Sequence, residues 1–448
     1  MGSAGGRPSA ACNPRSRSVA RAVACAVALG LAAGCGAPAV GEFPWSDQRV
    51  GERMDALGVP AVSVAVIDDL QVTWSRAYGT AEAPNGPAVG TDTLFQTASL
   101  GKPVTAMTVL HQVGLGAVDL DADVVRYLHT WTLPDGAQSM ANPVTLRRLL
   151  SHTAGTTQHG LLGYPRDAPL PTLDQILDGA APANSPPVEV VAAPGTEFRY
   201  SNLGFEVAEK VLEDTTGQPF TELVTATVFQ PLGMASSHHD PLPPDRWALA
   251  ASGHKTDGST VPGGWHTFPE HAAAGFWTTP TDLARFSIDV MVSWRDGSGV
   301  VISQELARQM LTPVDTTGHE PVTDGSATRT GYGLGFAVGD DGGDRFYAMH
   351  DGGQTGFHTK IVLYPQRGQG MVVMTNSDTG DALIDELMAS ASRAFGWYTG
   401  LILTTAETAA LALVSVALAV GAAVGWWQWR RRRRLAHRPA SGEATPAG

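Results

Sequence analysis

Ser99 and Lys102 stand three residues apart at the start of a helix-patterned segment. The apolar run of residues 107–115 follows them, so both side chains belong to the first turn of one helix and to one face of it. A serine hydroxyl needs a neighbouring base to act as a nucleophile, and an amine one turn away can be that base. The start of the helix adds free backbone N–H groups for a developing oxyanion.

The Ser-x-x-Lys pattern is a weak signal by itself, because the chain has only four lysines and two of them complete it. The second match, Ser252 with Lys255, lies in a Gly-rich stretch with no apolar period behind it, which indicates a loop. We therefore interpret Ser252 as a chance match and Ser99 as the candidate nucleophile.

A second motif contains Tyr200 and Asn202. Residues two apart in an extended segment point the same way, so both side chains can face one cleft. A phenol held near Lys102 could have its pKa lowered from about 10 and carry the proton of Ser99. Asn202 could donate a hydrogen bond to a substrate carbonyl. The alternative from these residues alone is a buried tyrosine beside an asparagine-built turn.

A third motif, His350-Asp351-Gly352-Gly353, directly follows a predicted strand over residues 345–349. A glycine in such a strand lets a substrate backbone approach closely and leaves an N–H free as an oxyanion donor. The imidazole of His350 can supply a proton or a hydrogen bond near the serine. A histidine at the end of a strand can also be purely structural.

The order of these three motifs resembles the serine β-lactamase and DD-peptidase superfamily. The closest likeness is the branch with class C β-lactamases, serine D-alanyl-D-alanine carboxypeptidases and related esterases. Further text that resembles this branch lies at residues 149–155, 275–284 and 331–336. The resemblance covers roughly residues 48–396 and excludes both ends of the chain.

The resemblance implies catalytic roles for four residues. Ser99 would be the nucleophile and form an acyl-enzyme. Lys102 and Tyr200 would act together as the proton-transfer base, with Tyr200 also protonating the leaving group. His350 would assist the network of Tyr200 and Ser99. Water would then hydrolyse the ester, and the family implies neither a metal nor a cofactor.

The resemblance also implies a substrate-binding set, Asn202, Asp351, Gly352 and Gly353, with Asn202 holding the acyl side chain. The backbone N–H groups of Ser99 and Gly353 would form the oxyanion hole. Asp351 departs from the family, because penicillin-recognising members have threonine there to hold a substrate carboxylate. A carboxylate pointing into the cleft would repel that group. If Asp351 points into the cleft, we expect a substrate that lacks this group, such as an ester or a neutral peptide amide. The alternative is that Asp351 faces away from the cleft or pairs with His350.

The strands that must position these motifs come from both ends of the domain. Residues 60–67 and 71–78 predict a hairpin around an Asp-Asp-Leu turn, and residues 99–290 predict mostly helices with long loops. Four more strands are predicted at residues 333–338, 345–349, 359–364 and 370–375, and a closing helix at 381–396. The expected fold is α+β, a β-lactamase/DD-peptidase-like antiparallel sheet flanked by helices with an inserted, mainly helical region.

Composition excludes several other functions. The formal charge is −13, and basic residues gather at the two ends, so the middle is more acidic still and is not expected to bind nucleic acid. The three cysteines all lie within the first 35 residues, which removes thiol chemistry from the domain. The sequence His238-His239-Asp240 precedes prolines, and we expect a solvated turn rather than a metal site.

The two ends predict export and a membrane anchor. Residues 1–39 resemble a signal peptide, with a lipoprotein-like site at Cys35 or an ordinary cleavage site at residues 37–39; an uncleaved anchor is the alternative. Residues 408–429 carry no charge and end in tryptophans, which predicts a transmembrane helix after a short stalk at 397–407. The arginine-rich tail, 430–448, is then cytoplasmic and the catalytic domain extracytoplasmic, at the cell membrane.

Three function hypotheses follow. The first is a membrane-anchored serine hydrolase acting through Ser99 on peptide, amide or ester substrates, including cell-wall peptide, with carboxypeptidase-like, β-lactamase-like and esterase-like variants. The second is a catalytically idle, membrane-tethered binding or sensing protein of the same fold. The third is a structural envelope protein with accidental motifs. Loss of ester hydrolysis in Ser99→Ala would separate the first from the others.

Overall fold

The computed structural model describes residues 43–314, 329–340 and 343–397. The predicted signal segment, the transmembrane segment 408–429, the basic tail and all of the stalk except Trp397 lie outside these residues, and they remain predictions. Within the part of the chain that is described, no helix is long and apolar enough to cross a bilayer.

The helices are α1 (Asp47–Leu57), α2 (Gly101–Gly114), α3 (Leu146–Leu150), α4 (Leu173–Asp178), α5 (Asn202–Thr216), α6 (Phe220–Val224), α7 (Pro280–Asp296), α8 (Gln304–Met310) and α9 (Gly380–Phe395). The strands are β1 (Ala61–Asp68), β2 (Gln71–Gly79), β3 (Phe95–Gln96), β4 (Tyr164–Pro165), β5 (His238–His239), β6 (His266–Thr267), β7 (Phe276–Thr278), β8 (Arg329–Tyr332), β9 (Ala337–Asp340), β10 (Phe346–Gln354), β11 (Phe357–Tyr364) and β12 (Gln369–Thr375).

Seven of these strands form one antiparallel sheet in the order β2-β1-β12-β11-β10-β9-β8. The predicted hairpin is confirmed, with Asp69 and Leu70 at φ +49° and +59° in a tight turn between β1 and β2. The expectation that strands from both ends share the sheet is also confirmed, because β1 pairs with β12 from Val62 opposite Thr375 to Ile67 opposite Gly370.

Alternation along β1 builds a core on each face of the sheet. Val62, Val64 and Val66 join a buried cluster with α1 and α9. Ala61, Ala65 and Ile67 belong to the larger cluster, which includes α7 and the helical region around α2. The sheet is therefore covered on both faces, and α2 begins on the side where the helical region packs.

The edges of the folded domain extend slightly beyond the predicted range of 48–396. At the N-terminal side, Phe43 and Trp45 are buried, and Phe43 stacks on Trp74 at 4.8 Å between ring centroids. At the other side, Trp397 stacks on Tyr364 at 5.0 Å and donates its indole N–H to Gln369. Trp397 thus belongs to the domain and not to a stalk.

Three sequence-based expectations need correction. The strand predicted at 333–338 is mostly a turn between β8 and β9, because Gly335 (φ +76°) packs there against the backbone of Lys102. The third motif lies inside β10, which continues through Gln354, and not after a strand. The histidine pair is not a solvated turn: it forms β5, and the His239 ring packs on Phe229 at 5.4 Å.

Candidate active site

Ser99 lies in a short 3₁₀ turn, Ala98–Leu100, that leads directly into α2. Ala98 has φ +48°, a left-handed conformation that is uncommon for a residue with a side chain and stores strain at this turn. The turn is anchored at Thr97, whose carbonyl accepts a hydrogen bond from the Thr359 hydroxyl at 2.9 Å. The sheet therefore fixes the position of the serine from below.

Lys102 is completely buried, and its amine contacts the serine. Its Nζ lies 3.1 Å from the Oγ of Ser99 and donates to the carbonyl of Ala273 at 3.0 Å. The same nitrogen lies 5.0 Å from the ring centroid of Tyr200 and 5.6 Å from that of Phe205. The first two motifs thus meet at one point, as the sequence predicts.

Tyr200 is held in place by a buried histidine that carried no role in the sequence analysis. The rings of His152 and Tyr200 lie 4.1 Å apart, and His152 Nδ1 accepts the backbone N–H of Ser201 at 3.0 Å. Burial, and then the charge of Lys102, hold the pKa of His152 well below its usual range, so the ring is neutral. Since Nδ1 accepts, the proton is on Nε2, which has no partner among the described residues.

Asn202 is the first residue of α5, and Ser201 caps that helix by accepting the N–H of Gly204. The amide nitrogen of Asn202 donates to the carbonyl of His159 at 2.8 Å. Its amide oxygen, Oδ1, is buried and has no hydrogen-bond partner within the described chain. One of the two amide N–H groups of Asn202 is therefore engaged, and its oxygen is free.

His350 is buried and engaged at both ring nitrogens. Its Nδ1 donates to the carbonyl of Asp351 at 2.6 Å, and its Nε2 accepts the hydroxyl proton of Tyr332 at 3.0 Å. Burial, with a smaller effect of the Lys102 charge, lowers the pKa of His350 to about 3. A neutral ring with both nitrogens occupied can shape the cleft, but it is poorly suited to supply a proton.

Gly352 faces the turn that carries Ser99, and there is no room for a side chain between them. A Cβ at this position would lie 2.4 Å from the carbonyl oxygen of Thr97 and 2.3 Å from the hydroxyl of Thr359. Only glycine therefore lets β10 approach the nucleophile this closely.

The backbone of β10 offers a free edge beside this contact. Strand β9 pairs with β10 only as far as Met349, so the described structure provides no strand partner on that side of residues 350–354. Gln354 and Phe357 close a two-residue turn and therefore bond to each other. By alternation, the N–H of Gly353 then points away from β11, to the open edge. It is available as an oxyanion donor.

Of the two orientations left open for Asp351, the structure has the one in which its side chain pairs away from His350 and Gly352. Its carboxylate pairs with Lys360 on β11 at 3.1 Å, and Lys360 also contacts Asp385 of α9 at 2.9 Å. His350 and Gly352 point to the opposite face of the strand, as alternation requires. The charge of Asp351 is thus compensated on the α9 side, and the argument that the substrate lacks a carboxylate loses its basis.

Ala273, whose carbonyl accepts from Lys102, is itself held by α5. Glu206 accepts the N–H of Ala273 at 3.0 Å, while the carbonyl of Ala273 accepts from Lys102. Glu209 accepts the neighbouring N–H of Ala272 at 2.9 Å. Both carboxyl groups are buried. Burial, with the nearby charge of Glu209, raises the pKa of Glu206 well above the usual range, and burial, with the nearby charge of Glu213, does the same to the pKa of Glu209.

A cavity of about 260 Å³ opens beside the serine turn, lined by Tyr200, Tyr332, Ala337, His350 and Asp351. No group of three or more His, Cys, Asp or Glu side chains in the described ranges could hold a metal ion. The residues that the sequence analysis missed here are His152, Tyr332 and Ala273. All three lie in the further segments of family resemblance quoted above or directly beside them, where the text carried no chemical pattern of its own.

Comparison with known proteins identifies the family. The Beta-lactamase family model matches residues 46–393, most of the chain. Penicillin-binding protein 4 of Amycolatopsis lactamdurans is 28% identical over 359 residues, covering 77% of this chain and 89% of the relative. The D-alanyl-D-alanine-carboxypeptidase/endopeptidase AmpH of Escherichia coli is 26% identical, covering 71% and 80%. Esterase EstB of Burkholderia gladioli is 34% identical over 190 residues, covering 40% of this chain and 47% of the esterase.

The fold agrees with solved structures. The octameric penicillin-binding protein homologue from Pyrococcus abyssi superposes with a TM-score of 0.64 at 23% identity, covering 80% of this chain and 78% of that one. A β-lactamase/D-alanine carboxypeptidase from Yersinia pestis gives 0.59 at 22% identity, covering 77% and 100%. The chain therefore belongs to the beta-lactamase family, within the serine β-lactamase and DD-peptidase superfamily of serine hydrolases.

Proposed function

We propose that this serine hydrolase cleaves peptide or amide bonds through an acyl-enzyme on Ser99, in the manner of a D-alanyl-D-alanine carboxypeptidase or β-lactamase. The observation that carries the proposal is the 3.1 Å contact between Lys102 Nζ and Ser99 Oγ beside a free strand edge. The named activity of AmpH and the name of penicillin-binding protein 4 support this substrate class.

In the proposed reaction, Lys102 and Tyr200 together take the Ser99 proton, while the Lys102 amine also donates to the carbonyl of Ala273. Ser99 Oγ attacks the substrate carbonyl carbon, and the new oxyanion binds the N–H groups of Ser99 and Gly353. Tyr200, beside the amine, passes the proton to the leaving nitrogen. Water, activated by the same groups, then attacks the ester and releases the acid.

Two further residues hold the substrate in this scheme. Asn202 presents its free amide oxygen to an N–H of the substrate, and its second amide N–H can donate to the carbonyl expected from sequence. His350 forms the wall of the cleft with Tyr332 and leaves proton transfer to Lys102 and Tyr200.

An esterase is the second candidate, because EstB shares the highest identity among the relatives described, over less than half of its length. An open, shallow cavity beside Ser99 would accept an ester as readily as an amide, and esters need less help with the leaving group.

We propose further that the domain is extracytoplasmic and anchored by residues 408–429, with the tail in the cytoplasm. The support is the uncharged run, its tryptophans and the arginines that follow it. Fractionation of the full-length chain against a chain ending at residue 407 tests this. Recovery of both forms in the soluble fraction would contradict the anchor.

The function itself is tested with the full-length protein, a fluorescent penicillin and an aryl ester. We expect wild type to gain the mass of one opened penicillin, or to release the opened product, and Ser99→Ala to do neither. Ester cleavage by wild type without any reaction with penicillin would favour the esterase. Ester cleavage that survives in Ser99→Ala would overturn Ser99 as the nucleophile.

A further inference from the structure

A second cavity shares no lining residue with the cavity beside the serine turn. It has a volume of about 630 Å³, and its polar and aromatic walls include Glu82, Arg166, Trp247, Ser252 and Trp265. None of the sequence motifs includes Arg166 or either tryptophan, and the catalytic scheme does not use them.

Arg166 is held in this cavity by two aromatic rings. Its guanidinium carbon lies 4.5 Å from the ring centroid of Trp247 and 5.0 Å from that of Trp265. The two indoles are themselves packed edge to face at 6.1 Å. This stacking fixes the plane of the guanidinium and leaves its N–H edge, which is the part that recognises planar anions.

The N–H edge of Arg166 is not satisfied by the protein. Its Nε is buried and has no hydrogen-bond partner among the described residues. The nearest carboxylate, Asp167, lies 3.9 Å from Nε, too far for a hydrogen bond, and its side chain is 86% exposed. A buried, charged N–H without a partner is costly, and a ligand acceptor would remove that cost.

The chemistry of this cavity favours a carboxylate. A guanidinium pairs with a carboxylate through two parallel N–H···O bonds, and the aromatic walls accept the apolar part of the same ligand. Glu82 and Asp167 add negative charge, but both are exposed, so water and salt screen them more than the enclosed guanidinium edge.

The cavity wall is joined to the catalytic strand by two hydrogen bonds. Gln354, the residue after Gly353, donates to Gln96 at 2.6 Å, and Gln96 donates to the carbonyl of His266 at 2.7 Å. His266 follows Trp265, and the β4–β6 pair places Arg166 beside it. These contacts tie the end of β10, beyond Gly353, to the strand pair that carries one wall of the second cavity.

We propose that Arg166, clamped between Trp247 and Trp265, binds a carboxylate on the acyl side of the substrate, away from the scissile bond. That the bound carboxylate belongs to a substrate rests on the proposed function. The proposal places a carboxylate on the substrate. This carboxylate is a different group from the one that Asp351 would repel if it faced the cleft.

Direct binding tests the site without catalysis. The full-length Ser99→Ala protein, labelled with 5-fluorotryptophan, is titrated with hippurate and with its neutral amide, and the Trp247 and Trp265 signals are assigned from Trp→Phe variants. We expect hippurate to shift both signals and to bind about tenfold more tightly than the amide, the effect of one charge-assisted pair. Arg166→Met should abolish this preference. Arg166→Lys should reduce it, because an ammonium group lacks the two parallel N–H donors of a guanidinium.

Two controls complete the binding test. Arg308→Met, on exposed α8 outside the cavity, should bind hippurate as the parent does. Asp167→Asn should bind it more tightly, because a competing negative charge is removed. Equal affinity for acid and amide, or an unchanged preference in Arg166→Met, would overturn the site.

Steady-state kinetics test whether the bound carboxylate belongs to a substrate. Aryl monoesters of dicarboxylic acids of increasing length are compared with the neutral aryl butyrate in wild type. We expect one length to show a higher kcat/KM, and Arg166→Met to lower this value about tenfold more than that for butyrate. Hippurate binding without an advantage at any length would refute the substrate role, whereas absent turnover of every ester would refute the proposed function instead.

Discussion

Gly352 has no side chain at the point where β10 touches the turn before Ser99. A methyl group there would lie 2.4 Å from a backbone oxygen of Thr97, and neither strand nor turn can move without displacing the serine. The mutation Gly352→Ala should therefore lower kcat/KM at least about a hundredfold, as a misplacement of about 1 Å does.

The matched control is Gly353→Ala. Its Cβ would meet the His358 ring at 3.3 Å on the other face of the strand, and alanine keeps the backbone N–H. We expect a clearly smaller loss in aryl-ester turnover. Equal losses in the two variants, with equal melting temperatures, would contradict the close-approach argument.

The hydroxyl of Tyr332 is the partner of a buried imidazole. Tyr332→Phe leaves His350 Nε2 as an unpaired acceptor, so we expect the free energy of unfolding to fall by about 1–3 kcal/mol in urea titrations. Tyr127→Phe removes an exposed contact to Asp119 and should cost less. An unchanged stability in Tyr332→Phe would show that another group satisfies the imidazole.

Among the elements, α5 connects two parts of the site. Its start carries Asn202 two residues after Tyr200. Its second turn carries Glu206, which binds the N–H of Ala273, the residue whose carbonyl accepts from Lys102. A single helix thus sets both the phenol and, through Ala273, the amine. Small rotations of α5 would move both groups together.

Glu206→Leu should consequently affect kcat more than KM. Without an acceptor for its N–H, Ala273 loses a restraint on the backbone that carries the carbonyl bound to Lys102, and we expect kcat to fall about tenfold or more through loss of orientation. Glu206→Gln keeps an acceptor oxygen and should retain most of the activity, in steady-state assays with an aryl ester. If Gln were as damaging as Leu, the charge of Glu206 and not its hydrogen bond would matter.

The limits of sequence reasoning are visible in these same elements. Ser99 and Lys102 could be predicted because one helical turn fixes their spacing, and the β1–β12 pairing because apolar runs flank the domain. The face of β10 on which the Asp351 side chain lies could not be predicted. The predicted strand ended at residue 349, so it gave no strand alternation at residue 351. Ala273 acts through its backbone carbonyl, and Arg166 through a guanidinium group stacked on two indole rings. Residue type alone reveals neither feature.

At the scale of the whole molecule, the helical region buries several acids close together. Burial raises the pKa of Glu270 from 4.5 to about 7 and that of Asp240 to about 6. Both carboxyl oxygens of Glu270 lack partners in the part of the chain described. These groups make the folded state bind protons more tightly than the unfolded chain does.

The stability of the domain should therefore depend on pH in a defined direction. Glu270 ionises near pH 4.5 when unfolded but near pH 7 when folded, so the folded state holds the extra proton between these values. Stability then falls as pH rises through this window, by on the order of 2–3 kcal/mol for Glu270. Glu270→Gln should flatten the decline measured by urea unfolding at pH 4.5–8.

The surface variant Glu305→Gln, on α8, provides the comparison for this measurement and should keep the wild-type slope. Buried histidines oppose the trend, since the lowered pKa of His350 makes the folded state lose stability as pH falls below about 6.5. A slope that is unchanged in Glu270→Gln would mean that this carboxyl is ionised in the folded domain.

The pairing of β1 with β12 joins strands more than three hundred residues apart in the chain, such as Val62 with Thr375. A ribosome has therefore made nearly the whole domain before the central strand pair of the sheet can close. Such long-range contacts slow folding, because the chain loses the entropy of loop closure before it gains the stabilising contacts between the two strands. The sheet can therefore be completed only after its last strand has been synthesised.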